Sequence, residues 1–270
     1  MHSVDKEFLL NNEQMAGFVN NGFVRLDEVI PLDICEKVKK VFDENDVKVS
    51  GKRGCILEDR YEKGSPIYEM VNLPEVKGMI ESLVGPKPRF DHSAIHKKPA
   101  NSDSAQILHA DAEIDMRENH FDIQLSFFIH DTPKQMGGTR FLPGSHYRRV
   151  HESQLCRYQH IKGMYQVECK AGTVVAWHHN LWHGAQPNFT DQMRYMFKVR
   201  LNPMVKQQLL WNTDGLADAK LEETLFATQP WYGQENRIEQ FNRIRFWRFL
   251  TDNPQYDHAD WYTRVENIPE

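Results

Sequence analysis

Four residues of this sequence have the types and spacing of a metal site. His109 and Asp111 stand two positions apart, and on a β-strand residues i and i+2 point to the same face, so both can reach one metal ion. His183, on a distant strand, would complete a set of two histidines and one carboxylate, which suits iron and leaves adjacent coordination positions open. Arg194 follows eleven residues later and can bind a carboxylate through two hydrogen bonds. These residues predict a non-haem iron(II) oxygenase.

Other histidines lie close to His183 and compete with it. In the segment 177–183, strand parity allows His179 to share the face of His183, so His179 is the main alternative for the third ligand. We favour His183 because a glycine follows it directly and a Pro-Asn pair stands a few residues further on. His146 follows a Pro-Gly-Ser turn, and we expect a structural role through hydrogen bonds that hold this loop.

Short strands between about residues 88 and 202 must position these side chains. Alternating apolar residues over 121–129 predict a half-buried strand, and the runs 172–177 and 194–199 are rich in β-branched and aromatic residues, as strands are. Turns that contain glycine or proline separate these runs. Many short strands at this spacing predict a mainly β fold, either a sandwich or a jelly-roll barrel with one face of each strand pointing inward.

Helices are predicted on both sides of this β core. Residues 1 to about 85 are mostly helical in pattern, with the clearest periodicity over 32–44. Residues 48–65 are polar with few apolar anchors, which predicts a loop. A C-terminal extension from about 203 to 270 is again helical in pattern. We expect residues 1–270 to form a single oxygenase domain, with that loop and the C-terminal extension closing over the pocket.

The composition excludes several classes of protein. Of the 270 residues, 40% are apolar and 26% are charged, as in ordinary globular proteins. A net charge of −5 without a basic tail argues against a nucleic-acid partner. No apolar run approaches the roughly 18 residues of a membrane span, and the N-terminus does not resemble a secretory signal. We therefore expect a cytoplasmic enzyme with no membrane partner, whose four cysteines, which lack CxxC spacing, are reduced and buried.

Several motifs, in this order, resemble the phytanoyl-CoA dioxygenase family. The family pattern is HxD, a turn like PGSH, and an HG…PN segment followed by an arginine. The corresponding segments of this chain are His109-Ala110-Asp111, residues 137–146, His183-Gly184 through Pro187-Asn188, and Arg194. The segment 18–24 also looks like the start of that family. The resemblance covers roughly residues 12–202.

The resemblance implies a double-stranded β-helix fold, Fe(II), the co-substrate 2-oxoglutarate and O2, with ascorbate as a supporting reductant. By that similarity His109, Asp111 and His183 hold iron, and Arg194 binds the distal carboxylate of 2-oxoglutarate. Family members often carry a hydroxyl residue two positions after the distal histidine, where this chain has Ala185. That departure concerns the contacts of the C1 carboxylate and leaves the iron site intact.

Three further polar residues are candidates for the lining of the 2-oxoglutarate or substrate pocket, Gln106, Thr139 and Arg140. The alternative is that they stabilise turns and strand ends. Asp111 bears on the reaction, because a halogenase of this architecture resembles the same site with a small residue in its place. A carboxylate there favours hydroxylation or a related oxidation.

The leading hypothesis is a dioxygenase that oxidises a C–H bond of a small organic molecule, with succinate and carbon dioxide as co-products. One alternative is a zinc-dependent, cupin-like enzyme that uses the same three ligands, with Arg194 binding a substrate acid. The other is a non-catalytic relative of the fold that binds a metal or a ligand. Because His109, Asp111, His183 and Arg194 are all present, the sequence favours the oxygenase.

Overall fold

Nine strands and six α-helices lie within the residues that the computed structural model describes, which are 2–44, 61–111, 117, 119–148, 160–233 and 236–258. The strands are β1 (Phe23–Leu26), β2 (Arg89–Lys98), β3 (Gln106–His109), β4 (Ile123–Phe128), β5 (Thr139–Phe141), β6 (Tyr165–Gln166), β7 (Thr173–His178), β8 (His183–Ala185) and β9 (Arg194–Asn202). The helices are α1 (Asn12–Asn21), α2 (Leu32–Glu44), α3 (Pro66–Val71), α4 (Pro74–Val84), α5 (Glu222–Leu225) and α6 (Asn236–Thr251).

The strands form two antiparallel sheets. A five-stranded major sheet has the order β1-β7-β4-β9-β2, and a four-stranded minor sheet has the order β3-β8-β5-β6. Apolar side chains of both sheets meet in one buried cluster, with Phe128, Trp177 and Met196 from the major sheet and Phe141 from the minor sheet. The prediction of a mainly β, jelly-roll core with flanking helices is confirmed.

Strand β4 is buried on both faces, so the prediction that it is half-buried is wrong. All six of its residues are buried, because it lies between β7 and β9 in the centre of the major sheet. Leu125 and Phe127 belong to the large core that the helices share. The polar residues between them point the other way, since Gln124 bonds Asp111 and Ser126 bonds Met196. The alternation therefore separates a helix-facing side from a side that faces the minor sheet.

The N-terminal helices begin and end where local chemistry favours it. Asn11 and Gln14 form a reciprocal capping box at the start of α1, and Gly22 ends this helix with a φ of +81°. Helix α2 has the bounds that its periodicity predicts, and it buries Cys35, Val38 and Phe42. Strand β1 follows α1 and pairs with β7, so the N-terminal part supplies the edge strand of the major sheet as well as helices.

One apolar core joins all three predicted segments of the chain. It contains Val19 of α1, Leu125 of β4 and Trp247 of α6. The single-domain organisation of the whole chain stays a prediction, because 45–60 and 259–270, which include most of the predicted 48–65 loop, lie outside the described residues. None of the described helices is long and apolar enough to cross a membrane.

Two of the four cysteines lie among the described residues. Cys35 is buried and Cys169 is half-buried, and both are free thiols. Burial is the main cause that raises the pKa of each thiol to about 11, so both are protonated at neutral pH. Neither has the low pKa of a reactive cysteine. Cys55 and Cys156 lie outside the described residues.

Candidate metal centre

Two histidines stand side by side in the minor sheet. His109 is the last residue of β3 and His183 the first of β8, and the two are register partners with ring centroids 4.4 Å apart. Nδ1 of each ring lies 2.9 Å from a backbone carbonyl two residues earlier, that of Ile107 and that of Leu181. Because a carbonyl only accepts, each Nδ1 carries the proton, and each Nε2 keeps its lone pair. Both histidines thus present a ligand atom of the same kind.

Asp111 completes the cluster from outside the strand, which corrects the predicted strand spacing of His109 and Asp111. Strand β3 ends at His109, and the amide of Asp111 donates to the carbonyl of His179 at 3.3 Å. The two carboxylate oxygens lie 3.7 Å from Nε2 of His109 and 3.6 Å from Nε2 of His183. The three ligand atoms are all within 4.8 Å of one another. The residues predicted as a metal site are therefore brought together, with Asp111 held by tertiary contacts.

The Asp111 carboxylate is oriented by two donors. Gln124 donates to its Oδ2 at 2.7 Å, and Lys198 donates to the same atom at 3.3 Å. Burial raises the pKa of Asp111, but His183 and Lys198 outweigh burial and bring this pKa below its usual range. Burial also lowers the pKa of His183 to about 4. At neutral pH the site therefore offers a carboxylate and a neutral imidazole, the forms in which both groups bind metals.

A narrow cavity beside the cluster contains a buried cation. The cavity is lined by His96, Gln106, Thr139, Trp177, His183, Ala185, Arg194, Met196 and Lys198. Arg194 is only 3% exposed. One Nη atom donates to the carbonyl of Met136 at 3.4 Å, and Nε has no hydrogen-bond partner among the described residues. Burial lowers the pKa of Arg194 to about 10, so the guanidinium stays charged at neutral pH.

A β-bulge explains how Gln106 shares this cavity with the metal cluster. Gln106 pairs with Ala185 and His109 pairs with His183, so three steps on β3 oppose two steps on β8. In a regular strand, residues three apart would point to opposite faces, and the extra residue brings both to one side. Nε2 of Gln106 lies 3.3 Å from Nε2 of His109. Thr139, the second predicted pocket residue, is buried in the cavity wall, whereas Arg140 is buried but does not line this cavity.

The other predicted histidines lie outside the cluster. His179 is buried, and its Nδ1 accepts a hydrogen bond from the amide of Asp122 at 3.0 Å. The ring of His146 packs against Tyr147 at 4.0 Å and His178 at 5.1 Å between centroids. Packing and a weak hydrogen bond to the backbone of Val19 account for its position, and neither ring nitrogen has a partner of normal length and angle among the described residues.

Three residues of the site were missed by sequence reasoning. Lys198 stands four positions after Arg194 on β9, and that even spacing signals a common face. Gln124 occupies a polar position in the strand predicted to be half-buried, so its sequence pattern indicates the exposed face and not the site. His96 of β2 lines the cavity with a buried Nε2 that has no hydrogen-bond partner in the part of the chain that the structure describes, and burial lowers the pKa of His96 to about 4. Its strand carried no sequence signal of its own.

Comparison with known protein families identifies the family of this chain. Residues 18–196 match the family model described as phytanoyl-CoA dioxygenase. The chain belongs to this family. The match includes His109, Asp111, His183 and Arg194, and the phytanoyl-CoA dioxygenase family is one of non-haem iron, 2-oxoglutarate-dependent oxygenases. A search of curated proteins found no match.

Three solved structures share the fold: a complex with nickel and 2-oxoglutarate, a 2-oxoglutarate-dependent epimerase and a non-haem monooxygenase. HygX from Streptomyces hygroscopicus, with nickel and 2-oxoglutarate bound, is 15% identical with a TM-score of 0.58, over 72% of this chain and 87% of that one. The 2-oxoglutarate-dependent epimerase SnoN from nogalamycin biosynthesis is 17% identical with a TM-score of 0.55, over 70% and 81%. The monooxygenase ThoJ in complex with nickel is 21% identical with a TM-score of 0.54, over 71% and 79%. These identities establish a shared fold.

Proposed function

We propose that this phytanoyl-CoA dioxygenase family member oxidises a C–H bond of a small organic molecule, with Fe(II), 2-oxoglutarate and O2 as its cofactor and co-substrates. His109, Asp111 and His183 would hold the iron, and Arg194 would bind the distal carboxylate of 2-oxoglutarate. Succinate and carbon dioxide would be the co-products. The observation that carries the proposal is the buried Arg194 guanidinium, which lines the same cavity as His183 and has an Nε without a partner among the described residues.

The residues present fit a ferrous ion. Two imidazole nitrogens and a carboxylate form the facial triad of non-haem iron oxygenases. The Nδ1 atoms of His109 and His183 are already committed to carbonyls, and such contacts orient histidine ligands and select their tautomer. Gln124 and Lys198 hold Asp111 in the same way. The ligand atoms are thus oriented by the protein.

The same cavity fits a dicarboxylic acid. Arg194 lies on its wall without an ion-pair partner among the described residues, and a guanidinium fork matches a carboxylate in two hydrogen bonds. Gln106 and Thr139 add polar groups to the wall. Ala185 offers no hydroxyl, so the other carboxylate of 2-oxoglutarate must be contacted by different residues of the cavity.

The protein would contribute positioning and protection. Bound iron would supply the oxidising chemistry, in which 2-oxoglutarate is decarboxylated to succinate. Arg194 would set the orientation of 2-oxoglutarate through its distal end, while buried Trp177 packs beside His183, with ring centroids 5.5 Å apart, and excludes water from this side. Since Asp111 occupies the place of one ligand, hydroxylation or a related oxidation is favoured over halogenation.

Succinate formation tests this proposal. Purified protein with Fe(II), ascorbate and 2-oxoglutarate is expected to release succinate slowly without a prime substrate, and Zn(II) in place of Fe(II) is expected to give none. Asp111→Ala should lower the rate at least about 100-fold, because two neutral ligands hold the ion poorly. Asp131→Ala, which removes a carboxylate that pairs with Lys170 outside the site, should leave the rate unchanged. Absence of succinate from protein with bound iron would favour the zinc enzyme or the non-catalytic relative.

A further inference from the structure

Strand β2 supplies a histidine to the cavity beside the metal cluster. His96 lines this cavity, and so do Arg194, Met196 and Lys198 of the neighbouring strand β9. These three residues of β9 are two positions apart, the spacing at which side chains share one face of a strand. In the register of β2 and β9, His96 pairs with Met196, the middle member of this row. His96 therefore lies between the levels of the two cations.

His96 is one register pair closer to the metal cluster than Arg194. Lys198 is the register position beyond His96, and it donates to the carboxylate of Asp111 at 3.3 Å, so the metal cluster lies at that end of the row. Burial is the main cause that lowers the pKa of His96, and charges at both ends of the row, Arg194 and Asp111, also act on this pKa. The imidazole thus lies between the arginine and the metal ligands.

Three side chains that line this cavity have a buried nitrogen without a hydrogen-bond partner among the described residues. The atoms are Nε2 of His96, Nε1 of Trp177 and Nε of Arg194. Buried polar atoms in folded proteins are nearly always hydrogen-bonded. The indole and guanidinium nitrogens can only donate, and a neutral imidazole can carry its proton on Nε2 and donate as well. A ligand that offers several acceptor oxygens would satisfy all three atoms.

We propose that His96 binds the C1 carboxylate of 2-oxoglutarate through a hydrogen bond from Nε2. The proposal rests on the proposed function, in which Arg194 binds the distal carboxylate and the keto acid end of the molecule is directed towards the metal. His96 lies on the metal side of Arg194, so its donor would meet the keto acid end.

This contact would compensate for a group that the minor sheet does not supply. Ala185 of β8 lines the cavity with a methyl group, at the position where family members often carry a hydroxyl. The amide nitrogen of Gln106 lies 3.3 Å from Nε2 of His109, and Lys198 donates to Asp111. His96, from the major sheet, would therefore supply a donor that is not already bonded to the metal ligands.

Calorimetry with two ligands separates the two ends of the co-substrate without turnover. The Ni(II)-loaded protein is titrated with 2-oxoglutarate and with 2-oxovalerate, which has the same keto acid group but a methyl group in place of the distal carboxylate. We expect His96→Leu to weaken the binding of both ligands about tenfold, because each loses one hydrogen bond to a charged group. Arg194→Gln, in contrast, should weaken the binding of 2-oxoglutarate alone.

Two further variants test whether the hydrogen bond is the cause. His96→Gln keeps an N–H donor and should retain most of the affinity for both ligands. His92→Leu is the matched control, because His92 is on the same strand but does not line the cavity, and it should bind both ligands like the wild type. The affinity for Ni(II) should be unchanged in all of these variants, since neither histidine belongs to the ligand cluster.

Several results would overturn the proposal. Weaker binding of 2-oxoglutarate alone in His96→Leu would place the contact at the distal carboxylate, and a loss of Ni(II) affinity would show that His96 acts on the fold. If wild-type protein binds both ligands and His96→Leu binds them equally well, the assignment of His96 fails and the proposed oxygenase function stands. If Ni(II)-loaded wild-type protein binds neither ligand, the proposed function fails together with the assignment.

Discussion

Arg194 constrains the chemistry of its cavity more strongly than any other single side chain described. Burying an unpaired guanidinium costs several kcal/mol, and a hydrogen bond of 3.4 Å to the Met136 carbonyl offsets little of that cost. A carboxylate in the cavity removes the penalty by pairing with the cation in two hydrogen bonds. The free energy is thus recovered only when a ligand of the right charge is bound.

Arg194→Gln is therefore expected to weaken the binding of 2-oxoglutarate far more than the binding of the metal. Losing a charged, two-point contact worth about 1.5–3 kcal/mol per bond should raise the Kd of 2-oxoglutarate at least about 30-fold. Calorimetry with the Ni(II)-loaded protein measures this constant. The affinity for Ni(II) is the internal control, since Arg194 does not belong to the ligand cluster. A variant that loses both affinities would show that the arginine acts on the fold and not on the co-substrate.

Among the secondary-structure elements, the bulge in β3 and the turn at Gly137 determine which side chains line the cavity. Gly137 has a φ of +70°, and a Cβ there would lie 1.8 Å from the carbonyl oxygen of Pro187. This turn leads into β5, whose first residue is Thr139 in the cavity wall. Close approach of two backbones therefore fixes the end of the minor sheet near the cavity that contains Arg194.

Gly137→Ala should destabilise the protein by several kcal/mol. Gly215→Ala is a matched control, because Gly215 has a similar φ of +68° but a Cβ added to it would meet no described atom within 4 Å. The control isolates the backbone cost of about 1–2 kcal/mol, which lowers Tm by roughly 2–6 °C in a chain of this size. Thermal unfolding should show a clearly larger decrease in Tm for Gly137→Ala than for Gly215→Ala. Equal drops would mean that the contact with Pro187 is relieved without cost.

The sequence predicts elements well where the local pattern of apolar residues determines them. It predicts poorly the features that depend on a paired strand or on tertiary contacts. The period of α2 and its bounds follow from apolar spacing alone. The motif residues predicted that His109, Asp111 and His183 lie together. The strand argument for Asp111 failed because its place depends on Gln124, Lys198 and the carbonyl of His179. The burial of β4 depends likewise on layers on both sides of the sheet, and a bulge is visible only in the pairing of two strands.

For the whole molecule, buried histidines make stability depend on pH. Burial is the largest cause that lowers the pKa of His96 to about 4 and of His146 to about 3, whereas a histidine in the unfolded chain titrates near 6.5. The folded protein therefore binds fewer protons than the unfolded chain below pH 6.5. This contribution to stability is complete above about pH 6.5 and is lost as the pH falls from there towards the folded pKa.

The Tm of metal-free protein should therefore fall between pH 7 and pH 5. Each of the two histidines contributes a slope of up to about 1.4 kcal/mol per pH unit below pH 6.5. In His146→Gln, which keeps a polar side chain of similar reach, the difference in Tm between pH 7 and pH 5 should be smaller. His120→Gln is the control, because His120 is exposed and should keep the wild-type difference. A Tm that is constant over this range would contradict the buried, neutral state of His96 and His146.

Because His109 pairs directly with His183, the geometry of the two histidines can stay constant while the residues that set selectivity change. The distance between their imidazoles is set by one register pair of β3 and β8. Loops between other elements can therefore lengthen, shorten or be exchanged without moving these two histidines. A shift of β3 by one residue, in contrast, would turn one imidazole to the opposite face and destroy the pair. Selectivity for new molecules can thus be acquired by remodelling the surroundings, while the pair of histidines is inherited unchanged.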